Sequence, residues 1–140
     1  MAGGNYIIRI TKDLVANQIY GIREYYVTLR RDWSNGSKLI FVKKIGPSED
    51  DDDAFIGSGI IDKTIELNEL GDVSEKQLWI KNNYYKKIVF GKLVIFHPPL
   101  LVKDTQISEW TKTTALLHGA QISTSEISLI ESRVNIKIIL

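Results

Sequence analysis

The nine residues Gln18 to Tyr26, QIYGIREYY, bring three phenol rings, one guanidinium and one glycine into a single short stretch. Flat rings stack on other flat π surfaces, a guanidinium contacts anions, and a glycine beside a ring lets a ligand approach closely. The helical period breaks here, so neither an ordinary core segment nor an ordinary loop accounts for the run. Its residue types fit a pocket for a flat ligand. Elsewhere the usual catalytic signatures are missing: there is no P-loop, no GxGxxG after a strand, no HExxH and no GxSxG. His97 and His118 are each expected at the end of an element, where an imidazole commonly caps a carbonyl rather than holding a metal or moving a proton. The acidic run Glu49 to Asp53 lacks the glycine and the spaced ligands of a calcium loop. No metal and no cofactor are expected.

The elements that would position these residues are short. Tyr6 to Ile10 (YIIRI) reads as a strand, Lys12 to Gln18 as a short helix or turn, and Tyr25 to Arg30 (YYVTLR) as a second strand. Ser34-Asn35-Gly36 marks a turn into Lys38 to Lys44 (KLIFVKK), apolar enough at its centre to be buried on both faces. Phe55 to Leu67 is a strand in which Gly57 and Gly59 permit a bulge or a close approach. Lys86 to Phe96 is another, ended by Pro98-Pro99 because proline cannot donate to a ladder. Ile107, Trp110, Thr114 and Leu117 then share a helical face that Gly119 ends. Ser123-Thr124-Ser125-Glu126 is a capping box opening a second helix to about Arg133, and the tail NIKIIL is either its extension or a last strand. This order predicts an α+β domain, 1–140, built as a mixed β-barrel of five or six strands with short peripheral helices, the two C-terminal ones packed outside it.

Composition narrows the setting. At 140 residues and 44% hydrophobic, the chain can build one core without staples. It has no cysteine, which removes disulfides, thiolate metal sites and cysteine nucleophiles. The start MAGGNYIIRI lacks signal-peptide features and no apolar stretch reaches the ~18 residues of a membrane span, so a cytoplasmic protein with no membrane partner is expected. Net charge is +1, yet Glu49 to Asp53 holds five of the 17 acidic residues, and without them 18 cations face 12 anions, a balance of +6. That acidic run is expected to be a solvated loop, and the body is basic.

The order of these segments carries a resemblance. YIIRITKDLVANQIYGIREYYVTLRRDWSNGSKLIFVKK, then FIGSGIID and ISTSEISLIE, resembles the EVE domain family of the PUA-like superfamily, small stand-alone members in particular. Tyr20-Gly21-Ile22 stands where that family has Trp-Gly-Val, Asn35-Gly36-Ser37-Lys38 where it has Pro-Gly-Asp-Lys, and Ile56-Gly57-Ser58-Gly59-Ile60 where it has its glycine-bearing strand. The resemblance implies a PUA-like barrel with a pocket near the end of the first strand, and recognition of a modified or flipped-out base of single-stranded RNA or DNA in an aromatic pocket. Tyr20 would be its first wall, with Gly21, Thr11, Trp79 and Trp110 completing it, while Lys12, Arg23, Arg30 and Arg31 contact phosphates and Lys112 adds to the basic rim.

Plainer roles stand beside these. Trp110 lies on the apolar stripe of its helix, which argues for core packing, and Trp79 could be wall or core. Trp33 beside the turn suits a lid over the barrel end, at least one of Tyr25 and Tyr26 should face inward, and Arg30-Arg31 also suits a solvated strand end. Two other functions remain. The related ASCH domains, some resembling hydrolases of modified nucleosides, use a Gly-x-Lys-x-x-Glu-x-Arg pattern. Counting from Gly21, this chain has Arg23, Tyr26 and Thr28 at the lysine, glutamate and arginine, a broken pattern, so no enzymatic activity is expected. The third is a protein-interaction module whose acidic loop docks a basic partner.

Overall fold

Both faces of YIIRI and KLIFVKK are apolar, and these segments form the centre of the structure as β1 (Asn5–Ile10) and β3 (Lys38–Lys44). They pair in parallel, Tyr6 opposite Leu39 and Ile10 opposite Lys43. A parallel pair needs a long crossover, here α1 (Asp13–Ile22) and β2 (Glu24–Val27). The structure, a computed structural model, describes residues 4–47, 52–105 and 118–140. The helix expected over 107–117, with Trp110 and Lys112, and most of the acidic run lie outside them.

β4 (Asp53–Glu66) and β5 (Lys86–Leu101) are long strands that bend across the molecule. With β6 (Gln121–Ile122) they complete the sheet order β2-β5-β4-β3-β1-β6, and the tail strand β7 (Ile136–Ile139) pairs with β5. The sequence predicts a mixed β-barrel of five or six strands. The sheet instead has seven, and among the described residues no ladder joins β2 to β6. β6 reaches only Asn5 and Tyr6, too short an edge to complete a closure, while NIKIIL adds the seventh strand.

Alternation along β1 and β3 splits the core between two faces of the sheet. Ile7, Ile40 and Val42 point to one side, where α3 (Thr124–Ser132) covers them with Ile127 and Ile130. Tyr6, Ile8, Ile10, Leu39 and Phe41 point to the other, against Ile19 of α1, Val27 of β2, and Phe90 and Leu93 of β5. Trp33 closes this second core, edge-on to Tyr6 at 5.0 Å.

Two expectations about strand ends need correction. β5 does not stop at Pro98, because Pro98 and Pro99 fall where the β4–β5 ladder is already interrupted, between the pairs Gly57–Ile95 and Phe55–Leu100, so no ladder donor is lost. The acidic run is not solvated throughout: Asp53 opens β4 fully buried, with Oδ1 3.7 Å from Arg9 Nη2. A further helix, α2 (Val73–Lys81), was not expected from the sequence. Asp72 caps it, its side chain accepting from the Ser74 and Glu75 N–H groups. Among the described residues no helix is long and apolar enough to cross a membrane.

Candidate nucleic-acid interface

Where β1 ends, the chain turns through Thr11 and Lys12 into α1, leaving both side chains exposed. Across from this turn β2 presents Tyr25 and Tyr26, and Thr28 follows. The turn after α2 adds Asn82 and Tyr84, and His118 enters from the segment before β6. Together with Arg9, Ile10 and Val15 these residues line a cleft of about 560 Å³.

Its aromatic side is an ordered stack. Tyr26 and Tyr84 lie nearly parallel, 5.0 Å between centroids and 19° between planes, and Trp79 meets Tyr26 edge-on at 5.5 Å and 81°. Trp79 is itself only 1% exposed, so it supports the stack from within α2. Burial, with Tyr84 nearby, pushes the Tyr25 hydroxyl up to about 12, and burial also raises that of Tyr26. Both rings therefore stay neutral phenols near pH 7.

The polar side is built on β1. The Arg9 backbone N–H donates to His118 Nδ1 at 3.0 Å, which leaves the neutral imidazole carrying its proton on Nε2. His118 therefore accepts from a backbone N–H rather than capping a carbonyl. Burial, then the Arg31 and Arg9 charges, lower its pKa. Arg31 reaches this region because its Nε donates to the Gly119 carbonyl at 2.8 Å. Gly119 holds φ +78 with the Leu29 and Arg31 side chains pressed where a Cβ would stand, so glycine is required there. Among the described residues no aspartate or glutamate lines the cleft.

The structure brings together only part of the set the sequence nominates. Thr11 and Lys12 line the cleft; Tyr20, Gly21 and Trp79 do not, and Trp110 is outside the described residues. Tyr20 turns into the second core, edge-on to Phe41 at 6.1 Å, its buried hydroxyl without a partner among the described residues and aimed at Gly57. Burial raises the pKa of that hydroxyl. Gly21 lies outside the cleft lining, with open space among the described residues where a Cβ would stand. Arg23 ends α1 in the left-handed conformation, φ 63, and its Nη1 donates to the Gly91 carbonyl at 2.7 Å, away from the cleft. Arg30 lies over the Tyr85 ring in an adjoining groove.

Sequence reasoning missed Arg9, Thr28, Asn82, Tyr84 and His118. A cation inside the otherwise apolar YIIRI was a signal for Arg9, and the tandem tyrosines after Asn82-Asn83 were one for Tyr84.

No protein-family model and no curated protein sequence matches this chain. Solved structures do match in fold. ASCH from Zymomonas mobilis superposes with a TM-score of 0.61 at 8% identity, over 92% of this chain and 94% of its own. A serine-to-alanine mutant of that protein gives 0.63 at 8% identity, over 96% and 99%. A tyrosine-to-phenylalanine mutant gives 0.61 at 8% identity, over 92% and 97%. Across nearly its whole length, then, this chain shares the fold of ASCH from Zymomonas mobilis.

Proposed function

We propose that this chain is an EVE-like nucleic-acid-binding module that receives one base of a single strand, modified or flipped out, in the cleft at the end of β1. The observation that carries the reading is a parallel pair of tyrosines in a cleft that Arg9 and Lys12 also line, with no carboxylate among the described lining residues. A base needs a flat π surface and fixed donors for its edge, and its phosphates need cations. Tyr84 and Tyr26 offer the surface; Thr11, Thr28, Asn82 and His118 offer the polar groups; Lys12 offers an exposed charge.

The hydrolase reading draws on the ASCH fold and on the neutral imidazole of His118 in the cleft. Against it, Tyr26 and Thr28 stand where the ASCH pattern has glutamate and arginine, and a neutral phenol does not replace a carboxylate base.

Fluorescence titration with single-stranded RNA and DNA oligonucleotides tests both. Affinity should fall steeply between roughly 50 and 200 mM salt. Lys12→Ala should reduce the slope of log affinity against log salt by about 0.7, the share of one phosphate contact on a single strand. Tyr84→Ala should lower affinity by ~1–3 kcal/mol with the circular dichroism spectrum unchanged. Absence of binding at low salt would remove nucleic acid as the partner, and release of the acyl group from an acylated nucleoside, followed by chromatography, would move the assignment to the hydrolase.

A further inference from the structure

Beyond the cleft, on the far side of the chain segments 28–30 and 80–85, lies a second groove of about 420 Å³. Thr28, Asn82 and Tyr84 face the cleft, while Arg30, Ile80 and Tyr85 face the groove. The two concavities therefore share a wall, and at most about 7 Å of extended backbone separates Thr28 from Arg30.

The wall's second side is preorganised. The Tyr85 hydroxyl accepts from Trp33 Nε1 at 2.9 Å and donates to the Leu29 carbonyl at 3.0 Å, which fixes the ring. The Arg30 guanidinium lies on it, its Cζ 3.7 Å from the centroid. A guanidinium seated over a tyrosine ring at this distance keeps its far side and its outward N–H groups for a ligand. Ile80, 58% exposed, borders the groove, and Lys76 also lines it. The one carboxylate among the described lining residues, Glu66, is engaged by Lys86 at 3.1 Å.

We infer that this groove is a second nucleotide subsite, in which the base next to the one in the cleft stacks on Arg30. The ligand class becomes a single-stranded oligonucleotide rather than a free nucleoside or mononucleotide. The inference rests on the proposed function of the cleft and extends it by one nucleotide.

The test compares a nucleoside monophosphate with a dinucleotide and a trinucleotide on the wild-type chain, Arg30→Ala and Arg30→Lys. Folding of each variant is verified by thermal melting, since Arg30 is exposed and Tyr85 is held by its own hydroxyl. The wild type should bind the dinucleotide about 5-fold to 150-fold more tightly than the monophosphate, the range of one stacked base. Arg30→Ala should erase that increment and leave the monophosphate affinity unchanged. Arg30→Lys should also lose most of it, because lysine keeps the charge but not the planar face. A dinucleotide increment that survives Arg30→Ala, or a full increment in Arg30→Lys, overturns the second subsite and leaves the cleft standing. A wild type that binds none of the three at low salt overturns the cleft reading together with this one.

Discussion

A buried hydroxyl with no hydrogen-bond partner costs free energy, and among the described residues none partners that of Tyr20. Its oxygen is accommodated because position 57 has no side chain: a Cβ there would meet both the Tyr20 hydroxyl and the Val94 carbonyl. Tyr20→Phe should therefore leave the fold as stable or more stable, by up to about 1 kcal/mol, whereas Tyr20→Ala, which also empties the space beside Phe41, should cost about 3 kcal/mol or more. Gly57→Ala should cost roughly 1–3 kcal/mol, and because the backbone carbonyl is also in the way, adding Tyr20→Phe should recover only part of it. Thermal and urea melts check all four. Oligonucleotide affinity should be unchanged in Tyr20→Phe, and a folded variant that lost binding would return Tyr20 to the ligand site. The sequence shows a ring beside Gly21, but the glycine that matters to Tyr20 is Gly57, across the sheet, and local spacing carries no information about that pairing. That Lys12 and Thr11 line a cleft was legible because the end of a first strand is a local feature.

Elements with a strong local signal were legible almost to the residue. KLIFVKK is β3, and Ser123 with Glu126 forms the capping box that opens α3. α2 was not, because its apolar pattern is weak and only Trp79 is buried; the usable sign was Asp72 three residues before Glu75, a helix-start pattern. This helix matters to the cleft. From its last turn the Asn82 N–H and Nδ2 groups bond to the Leu78 carbonyl, at 3.2 and 2.9 Å, and the Tyr84 N–H bonds to that of Trp79 at 2.9 Å, fixing two lining residues. Asp72→Ala should cost about 1 kcal/mol of stability, with a parallel loss of oligonucleotide affinity as the turn loosens. Asp72→Asn keeps an accepting oxygen at the cap and should preserve both. If Asp72→Ala lowered stability but left affinity intact, the cleft's geometry would not depend on α2.

At the scale of the whole molecule, stability and binding should respond to pH in opposite directions through one group. His118 has a pKa below its ordinary value of about 6.5 because burial, Arg31 and Arg9 disfavour its charged form. Between that ordinary value and its lowered native one, the unfolded chain binds more protons than the native protein, so the contribution of His118 to stability is complete above about pH 6.5 and is lost as pH falls toward the native pKa. His118→Gln keeps an oxygen able to accept from the Arg9 N–H but cannot titrate. Its urea-melt stability should therefore fall less than the wild type's from about pH 7 to pH 5. A bound phosphate acts the other way: an anion in the cleft favours the imidazolium, so the complex takes up a proton and affinity rises as the solution is acidified. That rise should vanish in His118→Gln. Titrations of one oligonucleotide across this range, on both proteins, decide the matter. A wild type whose stability depends on pH through His118 while its affinity does not would mean that no phosphate comes near the imidazole, and the strand would have to cross the cleft on the Lys12 side alone.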